Sequence, residues 1–153
     1  MTTRSKSTAF AATLAALVLV AAPSSSFAQS AVDIATRWGM LGTWQSDCKA
    51  PVGGENYNMS IVVKDGQLFL DRKSDAFTDS SEITGGTLNA DGTIELVVNF
   101  AVFHQIRRNV YAKNDSGQMR IMENQDLQNR EYSVRNGTLT GNGPPTPWLT
   151  HCQ

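Results

Sequence analysis

Between positions 42 and 141 apolar and polar residues alternate in short runs, each closed by Gly, Asn or Asp. That is the pattern of antiparallel strands joined by tight turns. Tyr57, Met59, Ile61 and Val63 alternate with Asn58, Ser60, Val62 and Lys64, and Asp65-Gly66 reads as a two-residue hairpin turn into 67–73. Gly85-Gly86 interrupts the run at 82–89 and predicts a bulge or sharp bend. After a turn at 89–92, the strand at 93–100 carries Ile94, Leu96, Val98 and Phe100 on one face. Runs at 105–113 and 118–125 flank a turn at 114–117, and runs at 131–135 and 138–141 flank Asn136-Gly137. With a first strand at 42–47, the count is about nine.

Upstream the period changes. Ile34, Ala35, Trp38 and Leu41 share one face of an amphipathic helix over 31–41, capped by Ser30 and stopped near 39–42. Its apolar stripe has to cover the end of something. The predicted fold is all-β: an antiparallel up-and-down meander of about 8–9 strands closed into a barrel, with a short N-terminal helix.

One hairpin carries charge where a core is expected. With the turn at 114–117, Lys113 faces Gln118, and counting outward pairs Ala112 with Met119, Val110 with Ile121, Arg108 with Glu123 and Ile106 with Gln125. That face is otherwise apolar, so it is expected to turn inward. The opposite one, with Tyr111, Asn109 and Arg107, is expected to meet solvent. A charged pair is costly to bury without further hydrogen bonds. Arg108 and Glu123 are therefore either a satisfied structural bridge or the polar lining of a cavity. Arg72, facing Met59 at the end of the first hairpin, is a second candidate for an inward charge. Val63 and Val110 belong to the same expected interior.

Composition adds the compartment. Arg4 and Lys6 precede an Ala/Leu/Val run at 9–22, and Ser26-Phe27-Ala28 supplies small residues at the two positions a signal peptidase reads. Residues 1–28 are read as a secretory leader, too short in its apolar run to span a bilayer, with 29–153 as one domain. Loss of Arg4 and Lys6 takes 13 basic side chains to 11 against 14 acidic, a net of −3. This argues against a nucleic-acid or anionic-membrane partner. Cys48 and Cys152, both in the exported part, are expected to form a structural disulfide. Neither His104 nor His151 has neighbours suited to metal binding, so no metal, cofactor or catalytic group is expected.

A short helix followed by Gly42-X-Trp44 at the start of the first meander strand resembles the lipocalin/calycin group. The resemblance implies that Trp44 packs across the closed end of a barrel, with Trp38 nearby and a late arginine, Arg130 or Arg135, over it. The small periplasmic barrels that inhibit metalloproteases are similar in layout. The leading expectation is a periplasmic or secreted, non-enzymatic protein holding a small amphiphilic or acidic ligand. Arg108, Glu123 and Arg72 would orient the ligand, with Phe100, Leu96, Ile94, Val98, Ile106 and Ile121 forming the wall. The alternative is a periplasmic, protease-inhibitor-like or partner-binding barrel with a filled core, acting through an outer loop or the N-terminal arm at 29–41. In neither case does the chain span a membrane, because one face of nearly every strand carries charge.

Overall fold

A computed structural model describes residues 30–53 and 56–152. The leader expected over 1–28, and its processing point before Gln29, lie outside them. Helix α1 (Ala31–Trp38) ends earlier than its apolar repeat, because Gly39 adopts a left-handed φ of 71°. The N–H groups of Gly39 and Met40 then turn back onto the carbonyls of Thr36 and Ala35. At the other end Ser30 Oγ accepts the Asp33 N–H, and Asp33 and Arg37 sit at the ends of the helix dipole that suit their charges.

Ten strands follow: β1 (Gly42–Gln45), β2 (Asn58–Lys64), β3 (Gln67–Lys73), β4 (Thr78–Leu88), β5 (Ile94–Phe100), β6 (Gln105–Lys113), β7 (Met119–Asp126), β8 (Tyr132–Arg135), β9 (Thr138–Leu139) and β10 (Thr150–Cys152). They form one antiparallel sheet in which sequence neighbours pair, except that β10 lies beside β1. The predicted meander is therefore present, with a bulge between Ile83 and Gly85 beside the predicted glycine pair. Strand-to-strand closure into a barrel is not. β9 and β10 are the two outer strands of an open order. The proline-rich tail bridges part of the gap, touching β9 at Thr138–Pro145 and β7 at Met119–Leu149. At the second bridge each backbone N–H donates to the other's carbonyl, at 2.9 and 2.7 Å.

Helix α1 packs on β3, β4 and β5 and covers the end of the sheet at the β4–β5 turn. Trp38 donates its indole N–H to Gly92 O at 2.7 Å. Lys113 at the end of β6 donates to Trp38 O and Gly39 O, at 2.6 and 3.2 Å, and so satisfies carbonyls the helix leaves open. Trp44 is 1 % exposed beneath this cover and donates to Met40 O at 2.8 Å. The cation over Trp44 is Lys113, 5.7 Å from the ring centroid, rather than the Arg130 or Arg135 that the resemblance implied. The reason is position: Trp44 adjoins the helix end where β6 terminates, whereas Arg135 sits in the β8–β9 hairpin over Tyr132. Among the described residues no helix is long and apolar enough to cross a membrane.

Cys48 and Cys152 are joined, with their Cα atoms 5.4 Å apart. The bond ties the loop after β1 to β10, which pairs with β1 through Thr43–Cys152 and Trp44–His151. The His151 ring lies against Trp44, centroid to centroid 4.7 Å, over Gly42. A Cβ at Gly42 would strike that ring, and its φ of 113° is also one that only glycine tolerates readily. The bond spans 104 residues of sequence. Constraint of the unfolded chain over such a loop contributes about 4–5 kcal/mol. Reduction, or the Cys48→Ser/Cys152→Ser variant, should therefore lower the thermal midpoint by on the order of 10 °C or more. A midpoint shift of a degree or two in scanning calorimetry would contradict this.

Candidate functional site

The interior of the sheet differs from its expected face in one hairpin. β5 pairs with β6 through Ile94–Tyr111, Leu96–Asn109, Val98–Arg107 and Phe100–Gln105. Since Ile94, Leu96, Val98 and Phe100 are all buried, their partners Tyr111, Asn109, Arg107 and Gln105 share the inner face. Arg108, Ile106 and Val110 are thus on the outer face, opposite to expectation. The β6–β7 register also slips by one, to Lys113–Met119, and a bulge between Val110 and Tyr111 accommodates Met122. Arg108 does pair with Glu123, and with Glu95 at 3.0 Å, but on the outside of the sheet. Ile106 is 41 % exposed, and Val63, beside the turn of its hairpin, is 44 % exposed.

Other expected residues do meet. Met59 faces Arg72, which faces Asp79, placing both charges on the inner face. Phe100 lies under the Arg72 guanidinium, 4.5 Å from the ring centroid. Beside them is a cavity of about 300 Å³. Its wall combines Met59, Leu70, Phe100, Ile121, Val134 and Leu149 with Tyr57, Arg72, Asn109, Tyr111 and Asn124, and the tail contributes Thr146 and Pro147. Leu96 is fully buried in the core opposite Asn109, not on this wall. A second hollow of about 270 Å³ shares Arg72, Phe100 and Asn124 with the first and adds Phe103, Gln105, Arg107 and Ser133.

A run of polar groups crosses this interior. Arg107 Nε donates to Asn124 Oδ1, Asn124 donates to Asn109 Oδ1 at 2.8 Å, and Asn109 donates to the Tyr111 hydroxyl at 3.3 Å. Each member is thereby satisfied, which buried amides require. The two arginines are compensated differently. Burial works against the Arg72 guanidinium, but bidentate hydrogen bonding to Asp79 and the nearby Tyr57 more than offset it, so its pKa rises. Burial also disfavours charge on Arg107, and Asp126, standing off at 3.7 Å, with Glu131 offsets this only in part. Its pKa falls. Burial pushes the Tyr111 hydroxyl up to about 12 and raises Tyr57 further, against the opposing pull of Arg72.

Sequence reasoning missed Arg107, Asn109 and Asn124. Both faces of β6 mix apolar and polar residues, and only the pairing with β5 distinguishes them. Among the described residues no group of three His, Cys, Asp or Glu side chains is placed to hold a metal ion.

The Asp79 side chain is 8 % exposed against Arg72. Asp79→Ala leaves that guanidinium unpaired and should cost roughly 3–5 kcal/mol. Arg108→Ala, on the outer face, should cost about 1 kcal/mol or less. Denaturant unfolding of the two variants decides whether the faces are assigned correctly. The tyrosines set an alkaline limit. Their folded pKa values lie above the unfolded value of 10.0, so the stability they contribute is intact below pH 10 and is lost as pH rises through the folded values. Unfolding midpoints should fall above pH 10, and Tyr57→Phe or Tyr111→Phe should flatten that fall.

No family model matches this chain, and no curated protein or solved structure does either.

Proposed function

We propose that the chain is an exported, lipocalin-like carrier that holds one small amphiphile inside the sheet, in the periplasm or outside the cell. The cavity of about 300 Å³ carries this reading. It falls within the size range of small-molecule sites, and its wall is mostly apolar with a few placed polar groups, the composition such sites share. In this reading the tail acts as the missing stave: its bridges to β7 and β9 complete a barrel around the ligand. The joined cysteines and the leader-like start support export. Of the two arginines expected to orient a ligand, Arg72 is on the inner face and Arg108 on the outer.

A specific observation favours a second reading, an exported protein partner. Val102, Phe103, Ile106 and Leu127 are 74, 54, 41 and 43 % exposed at the end of the sheet away from α1, and apolar surface of that kind marks interaction sites.

The carrier reading predicts that an environment-sensitive hydrophobic dye binds with one-to-one stoichiometry. Ile121→Trp, which fills the cavity, should abolish that binding while leaving the thermal midpoint within a few degrees. Dye fluorescence and calorimetry on the same samples test it. Unchanged binding in Ile121→Trp would place the dye on the exterior and leave the partner-binding reading in front.

A further inference from the structure

Resting on the carrier reading, we propose that the hollow beside the cavity is an oxyanion subsite centred on Arg107, and that the ligand is an acidic amphiphile. Its apolar body would lie over Met59, Leu70, Ile121 and Leu149, and its head over Arg107.

The two arginines at this end of the sheet are not equivalent. Arg72 has a carboxylate in bidentate contact, so its charge is already answered. Arg107 donates to neutral acceptors: Asn124 Oδ1, Gln105 Oε1 at 3.1 Å and Ser133 Oγ at 3.1 Å. Asp126 faces it through Oδ2 at 3.7 Å, beyond hydrogen-bond reach, while Oδ1 accepts the N–H groups of Gln128 and Asn129, the closer of them at 2.8 Å. The Arg107 side chain is only 14 % exposed, so water does little to screen it. A guanidinium in this state gains most from an oxyanion, which can take over the donors now spent on an amide and a hydroxyl and form charge-assisted bonds.

Placement fits one molecule occupying both spaces. Asn124 and Phe100 line the cavity and the hollow alike, so the two adjoin along the inner face. Phe103 flanks the hollow and is 54 % exposed, giving an apolar edge next to the charge. A neutral amphiphile would leave Arg107 as it is. A free oxyanion would leave the apolar cavity unused. An acidic amphiphile uses both.

The test is calorimetric titration of the disulfide-bonded chain with decanoate, decyl phosphate, decanol and inorganic phosphate. The two acidic amphiphiles should bind one to one and at least about ten-fold more tightly than decanol, the increment of a charge-assisted hydrogen bond. Inorganic phosphate should bind far more weakly than decyl phosphate. Arg107→Gln should erase the preference for acid over alcohol. Gln105→Glu, which hands Arg107 an internal carboxylate without removing any buried group, should erase it too and covers the case in which Arg107→Gln does not fold. Arg108→Gln, on the outer face, should leave the preference intact. Equal binding of decanol and the acids, or an acid preference that survives Gln105→Glu, would overturn the subsite while leaving the carrier standing. Phosphate binding as tightly as decyl phosphate would overturn the amphiphile. Binding of none of the four would overturn the carrier reading itself.

Discussion

The pairing of β10 with β1, held by Cys48–Cys152, is the constraint on which the interior depends. Upstream of it the tail at 144–149 is held by the Met119–Leu149 and Thr138–Pro145 bridges and by Thr146, which donates to the carbonyls of Gly137 and Ile121. That tail carries Thr146, Pro147 and Leu149 onto the cavity wall. A three-residue strand is too short to hold such a strap through ladder bonds alone. The covalent tie makes its position a property of the fold rather than of a fraying terminus. His151 against Trp44 and the glycine beneath it then bind the tail to the closed, helix-covered end.

The two ends of the sheet are built on opposite terms. At one, the Trp38 and Trp44 indoles bond the carbonyls of Gly92 and Met40, Lys113 bonds those of Trp38 and Gly39, and little space is left. At the other, Arg72, Asp79, Arg107 and Asp126 turn inward beside a void. Charged groups at inner positions carry a desolvation cost that apolar residues of similar size would avoid. The arrangement makes physical sense where that cost is recovered by something other than stability, and a polar-edged cavity is such a setting.

Much of the fold was legible in local pattern. Period-two alternation and Asx-Gly turns identify the strands, and the glycine pair marks the bulge, because both depend on residues close in sequence. Two cysteines admit one intramolecular pairing. Arg72 could be placed inward because Asp65-Gly66 is a short, unambiguous turn, which sets the register of everything that follows it on β2 and β3.

Tertiary structure alone decided the face of β6. Ile106, Val110 and Ala112 stand against Tyr111 and Asn109, and an isolated alternation with apolar groups on both sides has no inherent inside. The pairing of Ile94 with Tyr111 settles it, since β5 has one clean apolar face and its neighbour must follow. The extra residue at Met122 then places Glu123 on the outer face with Arg108 and brings Asn124 in opposite Asn109. Likewise, only the folded chain brings the tail to Met119 and so places Leu149 on the cavity wall. Local sequence sets which residues alternate. Which side of the alternation is buried depends on the neighbouring strand, and that information is not local.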